Sequence, residues 1–170
     1  DEINAIADKA GLLKVLATPG YAAPFGLGIE ADTVDPTRYA VWGSQAGLGM
    51  PDREYYLDKS EAMAKYRDAY KGYVTKIFEL LGDTAPVKSA DAVIKFETEA
   101  AKGQWKQEEL RVTDKAFKAM DAAAFQKLVP NIDLAKFAAD AGLPALSNMV
   151  AYGDTSITAG AKLVDTQSLD

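Results

Sequence analysis

The chain has 170 residues, 48% of them apolar and 26% charged, with a net charge of −6. That is a globular mixture, of a length for one ordinary domain or for a piece of a larger one; its scattered basic residues disfavour nucleic-acid binding, and no apolar run is long enough to cross a bilayer. Cysteine and histidine are both absent, which excludes disulfides, removes the ligands of most zinc and copper sites, and takes away the usual base beside a serine or cysteine nucleophile. An active site made from these residues alone would need carboxylates, lysine or tyrosine. No signal peptide is read, and since helix is expected from the first residues, the chain is expected to start inside a larger product.

In chain order, Ile3, Ile6, Ala10, Leu13 and Leu16 share one face, which predicts a helix over 1–17, ended by Pro19-Gly20. Phe25, Leu27 and Ile29 then alternate with Gly26, Gly28 and Glu30, a period-two strand pattern. Asp32 to Pro36 is turn chemistry, and Tyr39, Val41, Trp42 and Gln45 read as a second strand. The two pair most simply as an antiparallel hairpin within residues 24–45, and the glycines of the first strand predict close approach of another backbone or a bulky side chain. A phosphate cradle at Gly26 and Gly28 fails because no helix follows and Asp32 and Asp35 would repel the anion.

Gln45 to Leu57 is a junction. Gly47 and Gly49 permit backbone angles closed to other residues, Pro51 biases Met50 toward an extended conformation, and Asp52, Arg53 and Glu54 suit a short helical turn. Tyr55, Tyr56 and Leu57 then pin the loop to a core. The next helix is predicted from Asp58 or Ser60 to Gly82, with Met63, Tyr66, Tyr70, Tyr73, Val74, Ile77, Phe78 and Leu81 at three- and four-residue steps. That stripe reads as core, and buried tyrosine hydroxyls there must reach a helix end or a carboxylate.

Pro86 opens a further helix whose face holds Ala90, Val93, Ile94, Glu97, Ala100 and Ala101 up to Gly103. Glu97 lies among apolar residues, so either it is partly buried with a cationic partner, Arg111 first and Arg53 second, or the face is only half covered; as a catalytic acid it lacks a second carboxylate at a fixed spacing. Beyond a short segment at 105–112, a turn around Phe117 and Met120 is expected. Asp121 caps a helix over 122–129, closed by Pro130, and Asp133 caps another through Ala141, closed by Gly142 and Pro144. Leu146 to Tyr152 reads as an extended piece, and Asp154 or Thr155 starts a helix through Leu163. Thr166 to Asp170 looks like the cap of another helix. The fold class is therefore mainly α, an array of short and medium helices with one small antiparallel hairpin.

The run Gly47-Leu-Gly-Met-Pro-Asp-Arg-Glu-Tyr-Tyr-Leu57 resembles the signature of the neprilysin-like (M13) zinc metallopeptidases. Pro24-Phe25 through the aspartate-rich turn to Gln45 is similar to the hairpin before it. Phe96-Glu97-Thr98 with Ala100-Ala101, Glu108-Glu109-Leu110-Arg111, and Met120, Leu128, Pro130 and Asp133 follow in the family's order. Met50, Val112 and Leu134 depart from the usual residues. The resemblance covers residues 10–170 and implies part of a mainly helical N-terminal domain that roofs a zinc domain and admits only oligopeptides. In that family zinc is held by His-Glu-x-x-His and a downstream glutamate, none of which maps onto this sequence. The resemblance thus implies no catalytic, cofactor-binding or metal residue over 1–170, zinc in the parent enzyme, and a C-terminal zinc domain and oligopeptides as partners. It also implies an extracytoplasmic, bacterial protein. The alternatives are a stand-alone helical module that binds a peptide or protein, and an enzyme using carboxylates or lysine.

Overall fold

Asp8 sets where regular structure begins. Its carboxylate accepts the Gly11 N–H at 2.8 Å, capping α1 at Lys9–Ala17. The helix expected from the first residue is therefore shorter, because a side chain that satisfies the end of a helix competes with its continuation. The computed structural model describes residues 2–144 and 146–167. After α1 come β1 (Phe25–Ala31), β2 (Tyr39–Gln45), α2 (Glu54–Leu57), α3 (Glu61–Leu80), α4 (Pro86–Gly103), α5 (Gln107–Leu110) and α6 (Thr113–Ala116). They are followed by β3 (Phe117–Met120), α7 (Ala122–Gln126), α8 (Leu134–Asp140), β4 (Met149–Tyr152) and α9 (Asp154–Thr166). The chain is mainly helical, as its sequence predicts.

The expected hairpin is present, with Phe25 opposite Gln45 and Ala31 opposite Tyr39, but it belongs to a larger sheet. Four strands lie in the order β1-β2-β4-β3. β4 runs parallel to β2, pairing Val41 with Met149, and antiparallel to β3, pairing Phe117 with Tyr152. Residues 117–120, expected as a turn, are thus a strand. Four residues are too few to display a period of two, and tertiary pairing decides the outcome.

One face of the sheet is buried. Phe25, Val41, Met149 and Ala151 meet Phe125, Phe137, Ile157 and Ala161 from α7, α8 and α9 in the main core. A Cβ on Gly43 would lie 2.2 Å from Phe125 Cζ, so this glycine lets the ring sit against the strand. The approach predicted at Gly26 and Gly28 does not occur. A Cβ on Gly28 would meet nothing within 4 Å, and both residues leave a trough on the opposite face. Across it stand Trp42, Phe117 and Tyr152, the last two stacked with ring centroids 4.6 Å apart.

A second, smaller core joins α2, α3 and α4 around Met50, Tyr56 and Ala101. The aromatic stripe of α3 is only partly core, since Val74 is buried while Tyr66 and Tyr73 are more than half exposed. The helix predicted over 122–129 ends at Gln126, with Leu128 and Val129 continuing in hydrogen-bonded turns. α8 follows the sequence reading: Asp133 accepts the Lys136 N–H at 2.9 Å, and Gly142 takes a φ of 72°. α9 starts after Gly153 in the left-handed conformation and runs past Leu163 to Thr166. Of the cap expected over 166–170, Thr166 is the last residue of α9, and 168–170 lie outside the described residues.

Candidate functional site

The junction predicted at 45–57 is held by hydrogen bonds from α3, α4 and the residues that follow α4. Gly47 has a φ of 84°, and a Cβ there would lie 2.8 Å from the Ala23 carbonyl oxygen. Glycine is required both for the conformation and for the contact. Two residues on, a Cβ at Gly49 would sit 1.9 Å from the Tyr70 hydroxyl. That space is taken because Gly49 N–H and the Tyr70 hydroxyl both donate to Glu97 Oε1, at 3.2 and 3.1 Å. The Tyr56 hydroxyl donates to Glu97 Oε2 at 2.8 Å and accepts Met50 N–H at 2.9 Å. One carboxylate on α4 thereby fixes the loop, α2 and α3 together.

Glutamines and an arginine stitch the other edge of the loop. Gln104 donates to the Ala46 carbonyl at 2.8 Å. Gln45 accepts Trp105 N–H at 2.8 Å and donates to the Trp105 carbonyl at 3.2 Å. The Arg53 guanidinium donates to the Gln104 carbonyl at the C-terminus of α4, where a cation offsets the helix dipole. Arg67 reaches back from α3 to the carbonyls of Tyr55 and Asp58 at 3.0 and 2.7 Å. Beside this loop lies a recess of about 330 Å³ lined by Gly47, Leu48, Met50, Asp52, Gln104 and Tyr152.

Glu97 has no cationic partner among the described residues, and the expected pairing with Arg111 or Arg53 is corrected. Arg111 follows α5 at the surface, and Arg53 serves the end of α4. Three neutral donors stand where the cation was expected, and between them they engage both carboxylate oxygens. The tyrosine expectation is met: Tyr56 and Tyr70 reach a carboxylate. Burial first, then hydrogen bonding to Glu97 and its charge, pushes the Tyr56 phenol well above its usual range, with Met50 N–H opposing. Burial and the charge of Glu97 push Tyr70 up to about 12. Both hydroxyls therefore stay protonated and act as donors. The roles of Gln45 and Gln104 escaped the sequence reading, since glutamine at a strand end or after a helix carries no periodic signal.

Chemically this assembly positions backbone: the Tyr56 and Tyr70 hydroxyls are spent as donors to Glu97, and both phenols are held protonated. Among the described residues no three His, Cys, Asp or Glu side chains converge on a point where a metal ion could bind. Glu97, the best-placed carboxylate, has both oxygens engaged. The donor set here does not fit zinc.

The sequence matches the N-terminal model of peptidase family M13 over residues 1–170. The chain belongs to peptidase family M13. Among curated M13 relatives, endothelin-converting enzyme 1 of Cavia porcellus is 31% identical over 116 residues, covering 66% of this chain and 15% of its own length. The Bos taurus enzyme is 30% identical over 129 residues, covering 74% and 17%. Among solved structures, Mycobacterium tuberculosis zinc metalloprotease Zmp1 in complex with inhibitor superposes with a TM-score of 0.89 at 26% identity. That superposition covers 99% of this chain and 26% of Zmp1. PepO from Lactobacillus rhamnosis shares the fold at a TM-score of 0.66 and 14% identity. The chain thus spans about a sixth of the curated M13 relatives and a quarter of Zmp1. None of its helices is long and apolar enough to cross a membrane, among the described residues.

Proposed function

We propose that these residues are a non-catalytic part of a zinc-dependent M13 metalloendopeptidase that cleaves oligopeptides, and that they form a section of the roof limiting access to its active site. The observation that carries this reading is the M13 match over the whole length of a chain that has no histidine. A family whose chemistry runs on His-bound zinc must place its metal elsewhere. In this reading the partner of the chain is a C-terminal zinc domain on the same polypeptide, the protein works outside the cytoplasm, and a cysteine-free member is bacterial. The three hydrogen bonds to Glu97 support a structural role, since a wall that excludes larger substrates needs a loop held in one conformation. No specific observation favours a stand-alone binding module.

Two experiments test the proposal. The natural reading frame downstream of these residues is expected to encode His-Glu-x-x-His. The purified 170-residue chain is expected to leave oligopeptides intact with zinc supplied, whereas the full polypeptide cleaves them and a chelator stops it. Turnover by the 170 residues alone would overturn the reading.

A further inference from the structure

The outer face of the sheet and its free edge carry a second feature, which shares Tyr152 with the recess beside the junction. β1 is an edge strand. The bonds Asp32 N–H to Arg38 O and Ala46 N–H to Pro24 O close the two ends of its ladder with β2. With the β1–β2 register, they fix the alternation: Gly26, Gly28 and Glu30 turn their backbone groups toward β2, and Leu27 and Ile29 turn theirs outward. Among the described residues no protein group bonds those outward N–H and C=O groups. Such a row matches one thing well, an extended backbone. Gly26 and Gly28 floor a groove of about 540 Å³ beside this edge, walled by Trp42, Phe117 and Tyr152. Among the described residues, Glu30 is the only charged side chain lining it.

We propose that β1 captures an extended oligopeptide as an added strand. The residue opposite Gly28 carries a bulky apolar side chain, and the residue two positions away, opposite Glu30, is lysine or arginine. Neighbouring strands lie about 4.8 Å apart, so a side chain opposite Gly28 reaches across the bare glycine to the Trp42 ring. Cross-strand pairing of an aromatic with a glycine, and of opposite charges, stabilises such an arrangement. A second copy of this chain fits badly. Antiparallel pairing of two β1 strands about Gly28 would oppose glycine with glycine and bring Glu30 against Gly26, leaving the groove unfilled. The inference stands apart from the proposed peptidase function, since it concerns binding without cleavage.

The test uses the natural polypeptide that carries these residues, with chelator present. The probe is a fluorescent peptide as long as β1 with phenylalanine and lysine two positions apart. Saturable anisotropy is expected, with slowed amide exchange at Leu27 and Ile29. Ile29→Pro removes an outward N–H without breaking the ladder with β2, and Gly28→Phe fills the groove where there is room for it. Each is expected to weaken binding by about tenfold or more. Glu30→Lys is expected to shift preference to a peptide with glutamate in place of lysine. Absence of saturable binding would overturn the proposal, as would affinity unchanged in both Ile29→Pro and Gly28→Phe. Leu27 and Ile29 amides already protected before peptide is added would overturn it too, showing the edge occupied by another part of the polypeptide or by a second copy.

Discussion

The Tyr56 hydroxyl stands between Glu97 and Met50, giving its proton to the carboxylate at 2.8 Å and taking the backbone N–H at 2.9 Å. Tyr56→Phe therefore strands two groups at once, an acceptor on α4 and a donor in the loop. The expected cost is about 1–3 kcal/mol, read as a lowered denaturant midpoint. In a double-mutant cycle with Glu97→Gln the two changes are expected to be less than additive. Full additivity would show that the hydroxyl and the carboxylate do not act together.

The same contact predicts behaviour in alkali. Tyr56 and Tyr70 are expected to ionise above the ordinary phenol value, Tyr70 at about 12. A phenol whose pKa is raised by folding adds stability that is complete below its ordinary value of 10 and is lost as pH rises through the raised value. Tyr56→Phe and Tyr70→Phe should each subtract tyrosinate absorbance only above pH 10. A loss at or below that value would contradict the burial described.

Acid acts on the hairpin instead. Val34 N–H and the Arg38 guanidinium, at 2.8 and 2.7 Å, hold the Asp32 carboxyl below its ordinary 3.8, with burial opposing. A depressed carboxyl contributes stability present above the ordinary value and lost as pH falls through the lowered one. Amide exchange over residues 32–38 should accelerate in that window, and Asp32→Asn should reduce the dependence, leaving the part due to Asp35, whose carboxyl the Thr37 hydroxyl and N–H also hold below its ordinary value. Arg38→Ala should weaken the dependence without abolishing it, because the Val34 N–H still bonds the carboxylate.

The two faces of the sheet predict opposite responses to one added methyl group. Gly43→Ala drives a Cβ into Phe125 and is expected to cost about 1–3 kcal/mol. Gly28→Ala enters open space and is expected to be neutral or to stabilise by up to about 1 kcal/mol, through the unfolded chain. Thermal midpoints of the two variants separate the cases, and equal midpoints would contradict the packing described.

What the sequence made legible were features written in local chemistry. Asp121 and Asp133 cap their helices as read, Gly142 ends α8, and the alternation of 25–31 is a strand. The junction stood out because Gly-Leu-Gly-Met-Pro has no other economical backbone path. Features that depend on distant parts of the chain were hidden. β3 is too short to announce itself, the extended piece expected over 146–152 holds β4 but gave no sign of its partners, and the donors to Glu97 come from residues 49, 56 and 70. A carboxylate on an apolar face suggests a cation to a reader of one dimension, whereas the folded loop supplies phenols and an amide. Gly26 and Gly28 misled for the same reason, since bare backbone signals close approach and open space alike.

The parallel pairing of Val41 with Met149 has a consequence for how this protein comes into being. On the ribosome, β1 and β2 emerge before α2 to α8, and the partner that seals the inner side of β2 is made only after all of those helices. Until then a nascent chain displays an unsealed apolar ribbon, and loop closure over so long a separation is slow. The helices of the middle region can form during that wait, so the last strand arrives to lock a scaffold already in place.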